Sequence, residues 1–372
     1  MITCQNNVYH LRTDRYSCLL RVNNWGLVEQ LHFGSPVRTE DAESFACRPG
    51  LGWGESILLD AKETASCPDV MALAWSGSGR GDYRESPLEL GGVSTNFRFA
   101  GAQVLEGCPA IESGLPQAHG GEETLEITLE QPGAKLTLYF TPYPTALVRR
   151  TVLENTGDAP IALSKLMSFS MDLPGEYTMA TFNGGWIAEM RRQNNTVGAA
   201  KVVNESLTGS SSNRHYPGFL LYEPDATETE GRVYGFNLVY SGNHYASAQQ
   251  SQQGLTRVMQ GINPSNFLRT LAPGEQFETP EGVLAVSDHG FGGLSENMHT
   301  FVTDHIVPRY WANRPRPVLY NSWEGCVFDF NQRRLLDLAN LLSGYFFYLA
   351  LHLNEVEGVD EVPYVSRNYP AR

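Results

Sequence analysis

Residues 125–140 read LEITLEQPGAKLTLYF, and this stretch decides the fold class. Apolar residues alternate with polar ones on each side of a Gln-Pro-Gly-Ala turn, so each half has one apolar face and one polar face. Proline fixes φ and glycine permits a positive φ, which is the combination that a tight turn needs. The stretch therefore predicts a β-hairpin with one buried face.

The same texture extends in both directions, from the N-terminus to about Pro315. Residues 147–154 and 232–240 are apolar-rich runs that each end in a turn sequence, and the 36 glycines and 21 prolines fit many short strands. No long helical period appears before residue 290, and no internal repeat of about 20–50 residues indicates a solenoid or a propeller. We expect a mainly β protein built on a large antiparallel sandwich, since so many strands in one open sheet tend to split into packed layers.

The pattern changes at Arg-Pro-Arg-Pro, residues 314–317. A short apolar strand at 318–320 and a loop at 321–330 precede apolar residues spaced i, i+3, i+4 and i+7, which predicts a helix whose N-cap is Asn331. A strand, a loop and a helix make one β/α unit, as at the start of a barrel. We therefore expect a β domain over 1–315, a first β/α unit over 316–342 and a divergent tail over 343–372 without a clear second unit.

Charge and composition exclude several function classes. The formal net charge is −14 and the pI is near 5.1, which argues against nucleic-acid binding because that requires a basic face. The nine histidines form no H-x-H or H-E-x-x-H motif, so we expect no metal, and the glycine-rich residues 77–81 lack the context of a phosphate loop. We expect no cofactor and a neutral small molecule as the partner.

The N-terminus and the cysteines bear on localisation. The first ten residues lack the basic and apolar regions of a signal peptide, and the longest apolar run, 341–353, is too short to span a bilayer. The six cysteines are widely spaced, which favours free thiols in a reducing compartment. We expect a cytoplasmic protein without a membrane partner.

Four ordered motifs resemble a known family. They are YGFNLVYSGN at 234–243, RVMQGINP at 257–264, LAPGEQFETPE at 271–281, and RPVLYNSWEG at 316–325 followed by FDFN at 328–331. Together they resemble the bacterial α-galactosidases of glycoside hydrolase family 36, over roughly residues 5–342. The resemblance implies an N-terminal β-supersandwich followed by a (β/α)8 barrel, and hydrolysis of α-galactosides such as melibiose and raffinose with retention of configuration.

Retaining hydrolysis needs two carboxylates, which the family supplies from later barrel strands. We expect this chain to be a truncated form that lacks them, because the family's nucleophile segment is absent. The paired aspartates with which the family binds the sugar are absent too, since no Asp-Asp pair follows the helix and Asp360 matches nothing in the family motif. We therefore assign no catalytic residue, including Glu324 and Asp329 in the loop after the first barrel strand. The chain alone is expected to be inactive.

The resemblance indicates three substrate-binding candidates. Trp323 would lie at the mouth of the first barrel strand, where an indole can stack on galactose, although burial between barrel and sandwich is the alternative. Trp186 matches a family tryptophan that lines the approach to the site, with core packing as the alternative. Asp60 falls in a region whose loops, in tetrameric members, wall a neighbouring active site, so a homo-oligomer is possible. The alternative for Asp60 is a surface turn, and we interpret the nearby motif at 81–84, Gly-Asp-Tyr-Arg, as such a turn.

Two functions from different classes remain open. The first is an α-galactosidase-family polypeptide that works in carbohydrate catabolism. The second is a non-catalytic sugar-binding or assembly module made by the β-sandwich. A β-sandwich-plus-barrel hydrolase of different sugar specificity is a weaker third alternative.

Overall fold

A computed structural model describes residues 1–46, 57–64, 66–211, 214–316, 318–321, 326–341 and 347–350. The chain divides into two compact units, Met1–Ile306 and Val307–Arg372. The five cysteines within the described ranges are free thiols.

The first unit is built almost entirely from strands. In chain order they are β1 (Ile2–Gln5), β2 (Val8–Arg12), β3 (Ser17–Val22), β4 (Val28–Gly34), β5 (Leu88–Leu90), β6 (Arg98–Glu106), β7 (Glu123–Gln131), β8 (Ala134–Pro142), β9 (Leu147–Asn155), β10 (Ile161–Pro174), β11 (Thr178–Asn183), β12 (Arg191–Thr196), β13 (Val202–Glu205), β14 (His215–Tyr222), β15 (Val233–Leu238), β16 (His244–Gln250), β17 (Leu255–Ile262), β18 (Arg269–Leu271), β19 (Gln276–Glu278) and β20 (Gly282–Ser287). Helix α1 (Gly290–Phe301) follows and continues into a π-helical turn, Val302–Ile306. Short 3₁₀ helices, Thr39–Phe45 and Pro68–Val70, interrupt the connection between β4 and β5.

These strands form three sheets. A four-stranded meander has the order β1-β2-β3-β4, and a six-stranded sheet has the order β13-β16-β17-β10-β18 with β5 also paired to β10. A ten-stranded sheet has the order β12-β11-β14-β15-β20-β9-β8-β7-β6, with β19 beside β9. Every pairing between these named strands is antiparallel. The mainly β antiparallel supersandwich expected from the sequence is confirmed.

The hairpin expected at 125–140 is β7–β8. Gln131 pairs with Ala134 across the turn, and Gly133 has a φ of 80°, which explains the glycine. The alternating apolar residues Leu125, Ile127 and Leu138 are buried in the core. The period-two pattern therefore gave both the element and its buried face.

One apolar core joins the three sheets. Phe169 of β10 stacks on Phe236 of β15, with ring centroids 5.8 Å apart, which closes the six-stranded sheet on the ten-stranded sheet. Phe33 of β4 stacks on Tyr234 of β15 at 6.1 Å, and the Tyr234 hydroxyl donates a hydrogen bond to the Phe33 carbonyl. The four-stranded meander thus packs into the same core.

Helix α1 covers the other face of the ten-stranded sheet. Val283 and Ala285 of β20 pack with Leu294 of α1, whereas the alternate residues Leu284 and Val286 belong to the main core. The middle of the ten-stranded sheet is therefore buried on both faces. This helix was not expected from the sequence, which read as strands and turns up to Pro315.

The second unit contains a β/α arrangement. Helix α2 (Arg309–Ala312) precedes β21 (Val318–Asn321), helix α3 (Gln332–Leu341) and β22 (Phe347–Ala350). Asn331 caps α3 as expected, since its Oδ1 accepts a hydrogen bond from the Arg334 N–H at 3.0 Å.

Strand β22 was not expected from the sequence. It pairs with β21 in parallel, with Val318 opposite Phe347 and Asn321 opposite Ala350. A continuous apolar run such as 341–353 is compatible with a buried strand and with a buried helix, so its sequence pattern alone did not predict a strand.

Candidate functional site

Of the three candidate site residues, the structure describes Trp186 and Asp60 but not Trp323. Trp323 lies outside the described residues, two positions after Asn321, the last residue of β21. Glu324 lies outside them as well. Asp329 in the same loop is exposed and pairs with Arg334 of α3 at 2.8 Å, so it lies at the start of that helix, where a negative charge is favourable.

Trp186 lies at the tip of the hairpin that joins β11 to β12. Its side chain is 78% exposed and that of the adjacent Ile187 is 76% exposed, which excludes the alternative that Trp186 is part of the core. The tip is closed by the Ala188 N–H, which donates to the Gly185 carbonyl at 2.9 Å. Gly184 has no room for a Cβ, because the Ala188 carbonyl oxygen occupies that position.

The same tip has unusual backbone geometry. Ile187 has a φ of 62° and Met190 a φ of 55°, a region that a β-branched side chain such as that of isoleucine rarely adopts. The tip therefore presents an exposed tryptophan on a strained, defined turn.

Asp60 lies in a turn between residues 59 and 66. Its carboxylate accepts a hydrogen bond from the Lys62 N–H at 2.8 Å, and its backbone is bonded to the Ser66 hydroxyl. The side chain is exposed. These hydrogen bonds are all local, so in the described part of the chain none of them connects Asp60 to the Trp186 hairpin.

The motif at 81–84 is not the surface turn that the sequence indicated. Asp82 and Arg84 are buried, and only Tyr83 between them is exposed, at 62%. Arg84 Nε donates to Asp82 Oδ1 at 2.8 Å, and Arg84 Nη2 donates to the carbonyls of Pro68 and Met71. The charged residues were misread as exposed because buried charges are rare unless they are paired.

The partners of this motif lie in two strands of the six-stranded sheet. Asp172 of β10 faces Arg257 of β17 in register, and Arg257 Nη2 donates to Asp172 Oδ2 at 2.7 Å and to Asp82 Oδ2 at 2.9 Å. Arg84 Nη1 lies 3.1 Å from Asp172 Oδ2. Two carboxylates and two guanidinium groups thus form a buried network that fixes the β4–β5 connection to β10 and β17.

Electrostatics decide what this network can do. Burial acts to raise the pKa of Asp82, but the Arg257 and Arg84 guanidinium groups outweigh it and hold that pKa below its usual value. Because Asp82 is paired and buried, it is not poised as an acid or a nucleophile. The network is a scaffold, and sequence reasoning missed it. The available signal was the presence of a carboxylate, Asp172, in the apolar strand at 161–174 and of a guanidinium, Arg257, in the apolar strand at 255–262.

A neighbouring carboxylate, Glu85, belongs to a similar arrangement. It accepts hydrogen bonds from Lys165 Nζ at 2.7 Å, Tyr245 Oη at 2.9 Å and Ser247 Oγ at 2.9 Å, and pairs with Lys201. Burial opposes ionisation, but the lysines and the serine lower its pKa to about 2. Glu85 is therefore held ionised and fully engaged.

Glu281, the last residue of the 271–281 motif, is a buried carboxylate whose pKa is raised toward neutrality. Burial raises its pKa to about 7, against a hydrogen bond from the Ala118 N–H at 2.7 Å and the charge of Arg150. Such a pKa suits a general acid. Glu281 is 1% exposed, however, and its hydrogen bond holds the 107–122 loop, so substrate does not reach it.

Further site types find no support in the described ranges. These residues include no group of three or more His, Cys, Asp or Glu able to hold a metal ion. None of the helices described is long and apolar enough to cross a membrane.

Family models match most of the chain. The glycosyl hydrolase family 36 N-terminal domain matches residues 26–272, and the melibiase model matches residues 276–344. The chain belongs to glycosyl hydrolase family 36. The melibiase match begins at β19, well before the Pro-rich segment where the sequence pattern changes.

Individual family 36 relatives agree with this assignment. α-Galactosidase AgaA of Geobacillus stearothermophilus is 32% identical over 348 residues, which are 90% of this chain and 47% of that protein. α-Galactosidase 2 of Hypocrea jecorina is 34% identical over 320 residues, 83% of this chain and 41% of its own length.

Solved family 36 structures resemble the fold closely. The crystal structure of AgaB from G. stearothermophilus has a TM-score of 0.86 at 29% identity, covering 94% of this chain and 50% of AgaB. An AgaA variant in complex with raffinose has a TM-score of 0.84 at 30% identity, covering 91% of this chain and 48% of that chain. The chain thus spans about half the length of these relatives.

Proposed function

We propose that this family 36 chain serves the hydrolysis of terminal α-galactosides, as in carbohydrate catabolism, by supplying the supersandwich and the opening of the barrel. The observation that carries the proposal is the match of two consecutive family models, over 26–272 and 276–344. The proposed substrate is a neutral galactoside such as melibiose or raffinose, supported by the raffinose complex of the AgaA variant.

The domain assignment is part of the proposal. Residues 1–315 are assigned to the supersandwich domain, 316–342 to the first β/α unit of the barrel, and 343–372 to a tail that is divergent in sequence and contributes β22 beside β21. The change of architecture from antiparallel sheets to the parallel pair β21–β22 supports a boundary in this region.

By itself the 372-residue chain is proposed to be inactive. Retaining hydrolysis needs two carboxylates about 5–5.5 Å apart, one of them a nucleophile and the other an acid. Among the described residues, Asp82 and Asp172 share one arginine nitrogen, but both are ion-paired in the core. They do not meet the requirement of an accessible pair.

The substrate contacts are proposed from position. Trp323 follows a barrel-type strand by two residues, which supports stacking of its indole on galactose. Trp186 is proposed to line the approach, since its indole is exposed on a defined turn. Asp60 is proposed to lie in a loop that contacts a second subunit in a homo-oligomer, and its exposure is compatible with that. A cytoplasmic location remains part of the proposal.

A second candidate function is a non-catalytic sugar-binding or assembly module. The observation in its favour is the exposed apolar pair Trp186 and Ile187 at a hairpin tip. Exposed aromatic side chains of this kind are typical contact residues for sugars and proteins.

The test is hydrolysis of p-nitrophenyl-α-galactoside by the purified 372-residue chain, beside AgaA as the active control. We expect no turnover by the chain and clear turnover by AgaA. If the chain does turn over the substrate, Asp329→Asn is compared with Asp14→Asn, a control at another exposed aspartate. Loss of turnover in Asp329→Asn alone would contradict the assignment of no catalytic residue.

Galactose titration by isothermal titration calorimetry then separates the two functions, because its signal does not depend on the tryptophans that are replaced. Binding that is lost in Trp186→Phe and kept in Trp323→Phe would support the module. Binding that is lost only in Trp323→Phe would support the barrel site.

A further inference from the structure

A polar group of side chains lies inside the sandwich, where apolar packing is the rule. Asn204 of β13 pairs in register with Ala246 of β16, and Ala246 pairs with Gln260 of β17. Directly opposite residues point to the same face of a sheet, and so do residues two positions apart along a strand. Asn204, Gln260 and His244 therefore surround the small side chain of Ala246 on one face.

This face is turned toward β14 of the ten-stranded sheet. Asn204 Nδ2 donates to the Tyr216 carbonyl at 2.8 Å, and Gln260 Nε2 donates to the Pro217 carbonyl at 2.6 Å. A carbonyl only accepts hydrogen bonds, so these bonds fix which end of each amide is nitrogen. The amide oxygens of Asn204 and Gln260 take no part in these two hydrogen bonds.

The remaining polar atoms have no partner. Asn204 Oδ1, Gln260 Oε1 and both ring nitrogens of His244 are inaccessible and make no hydrogen bond in the described structure. The three residues are 2%, 0% and 0% exposed in the order Asn204, Gln260 and His244. Each buried polar group without a partner costs about 1–3 kcal/mol, so four such atoms in one place are not a stable dry arrangement.

The chemistry of the site specifies its occupant. Burial, aided by nearby His215, lowers the pKa of His244 to about 4, so the ring is neutral and offers one N–H and one acceptor nitrogen. With the two amide oxygens, the site presents three acceptors and one donor. The occupant must bring hydrogens and must be small, because the site is closed.

Water meets these conditions better than a cation. All three side chains are uncharged, so a bound cation would have no counter-charge in the site, and burying an unpaired charge is far more costly than burying water. The two ring nitrogens of His244 point to different sides of the imidazole. One water therefore cannot serve both, and at least two are required.

We propose that Asn204, Gln260 and His244 form an internal hydration site between the six-stranded and ten-stranded sheets, occupied by at least two water molecules. One water donates to the two amide oxygens and accepts from the imidazole N–H, and the other donates to the remaining imidazole nitrogen.

The first test is a crystal structure of the 372-residue chain. We expect ordered waters at hydrogen-bond distance, about 2.7–3.2 Å, from Asn204 Oδ1, Gln260 Oε1 and a ring nitrogen of His244. A dry site, or density with the coordination of a metal ion, would overturn the proposal.

The second test is a matched pair of serine substitutions on β16. A new hydroxyl at position 246 would enter the hydration site, whereas Ala248, two residues along on the same face, is buried between Val202 and Val258. We expect Ala248→Ser to lower the urea midpoint clearly and Ala246→Ser to leave it near the wild-type value. An equal or larger loss for Ala246→Ser would mean that its surroundings are apolar and dry, against the proposal.

Discussion

Glu281 is a residue whose ionisation should be visible in the stability of the fold near neutral pH. Its pKa is raised by burial to about 7 in the folded state, against an ordinary value of 4.5. Between these two pH values the folded state binds a proton that the unfolded state has released. The contribution of Glu281 to stability is therefore fully present below pH 4.5 and is lost as the pH rises to 7.

Glu281→Gln should remove this pH dependence while keeping an acceptor for the Ala118 N–H. Relative to the wild type, the variant should gain on the order of 3 kcal/mol of unfolding free energy between about pH 5 and about pH 8. Urea unfolding at the two pH values measures it. Glu122→Gln is the control, because Glu122 is an exposed glutamate in the 107–122 loop that also contains Ala118. An equal pH dependence in Glu281→Gln and the wild type would show that Glu281 is not the titrating group.

Single residues also show where sequence reasoning stops. Asn331 was predicted as a helix cap because its position relative to the apolar pattern is local information, and the structure confirms it. Asp82 and Arg84 were interpreted as exposed because their partners Asp172 and Arg257 are distant in the sequence and could not be identified from it. A charged side chain is buried only where an oppositely charged partner lies beside it, and a single sequence does not show which distant charges will form such a pair.

Among the elements, the β11–β12 hairpin offers the sharpest prediction. Ile187 has a φ of 62° and is exposed, so its side chain adds backbone strain and little packing. Asparagine adopts this region more readily, so Ile187→Asn should stabilise the protein by about 0.5–1 kcal/mol.

Ile187→Val is the matched control, since valine is equally β-branched and should give no gain. The urea midpoint of the whole chain measures both variants. A less stable Ile187→Asn variant would show that the isoleucine side chain contributes to packing.

Helix α1 shows how tertiary packing overrides a weak sequence signal. Its buried positions, Gly290, Leu294, Asn297 and Phe301, have helical spacing, but two of them are not apolar. Asn297 is buried because its Nδ2 donates to the Val286 carbonyl at 3.0 Å. The hairpin β7–β8, by contrast, was predictable because its period-two pattern is complete.

For the whole molecule, we expect residues 1–306 to behave as one cooperative body under limited trypsin digestion. Its main core takes side chains from all three sheets, so local opening exposes little of it. Arg309 and Arg333 are exposed, lie in the smaller unit and are not followed by proline, so trypsin can cleave after both of them. Mass spectrometry should therefore find early cleavage after these arginines and a resistant fragment that contains residues 1–306. Cleavage within 1–306 at the same rate would contradict this expectation.

The fold was thus more predictable than the site. Period two and turn chemistry predicted a mainly β sandwich with large sheets, and the family resemblance predicted the supersandwich and the barrel opening; the fold class is confirmed. Trp323 lies outside the described residues, and the roles of Trp186 and Asp60 stay predictions. A sugar contact depends on groups brought together from distant parts of a fold, which a local pattern does not contain.

Strand β12 has a consequence for how the protein behaves at high concentration. It ends the order of the ten-stranded sheet, and all six of its residues, Arg191–Thr196, are exposed. The outer strand of a sheet can recruit a strand from another molecule and so begin aggregation. The sequence of β12 is RRQNNT, which has two positive charges and no apolar side chain that pairing with another strand could bury. We therefore expect this end of the largest sheet to be a poor template for edge-to-edge polymerisation.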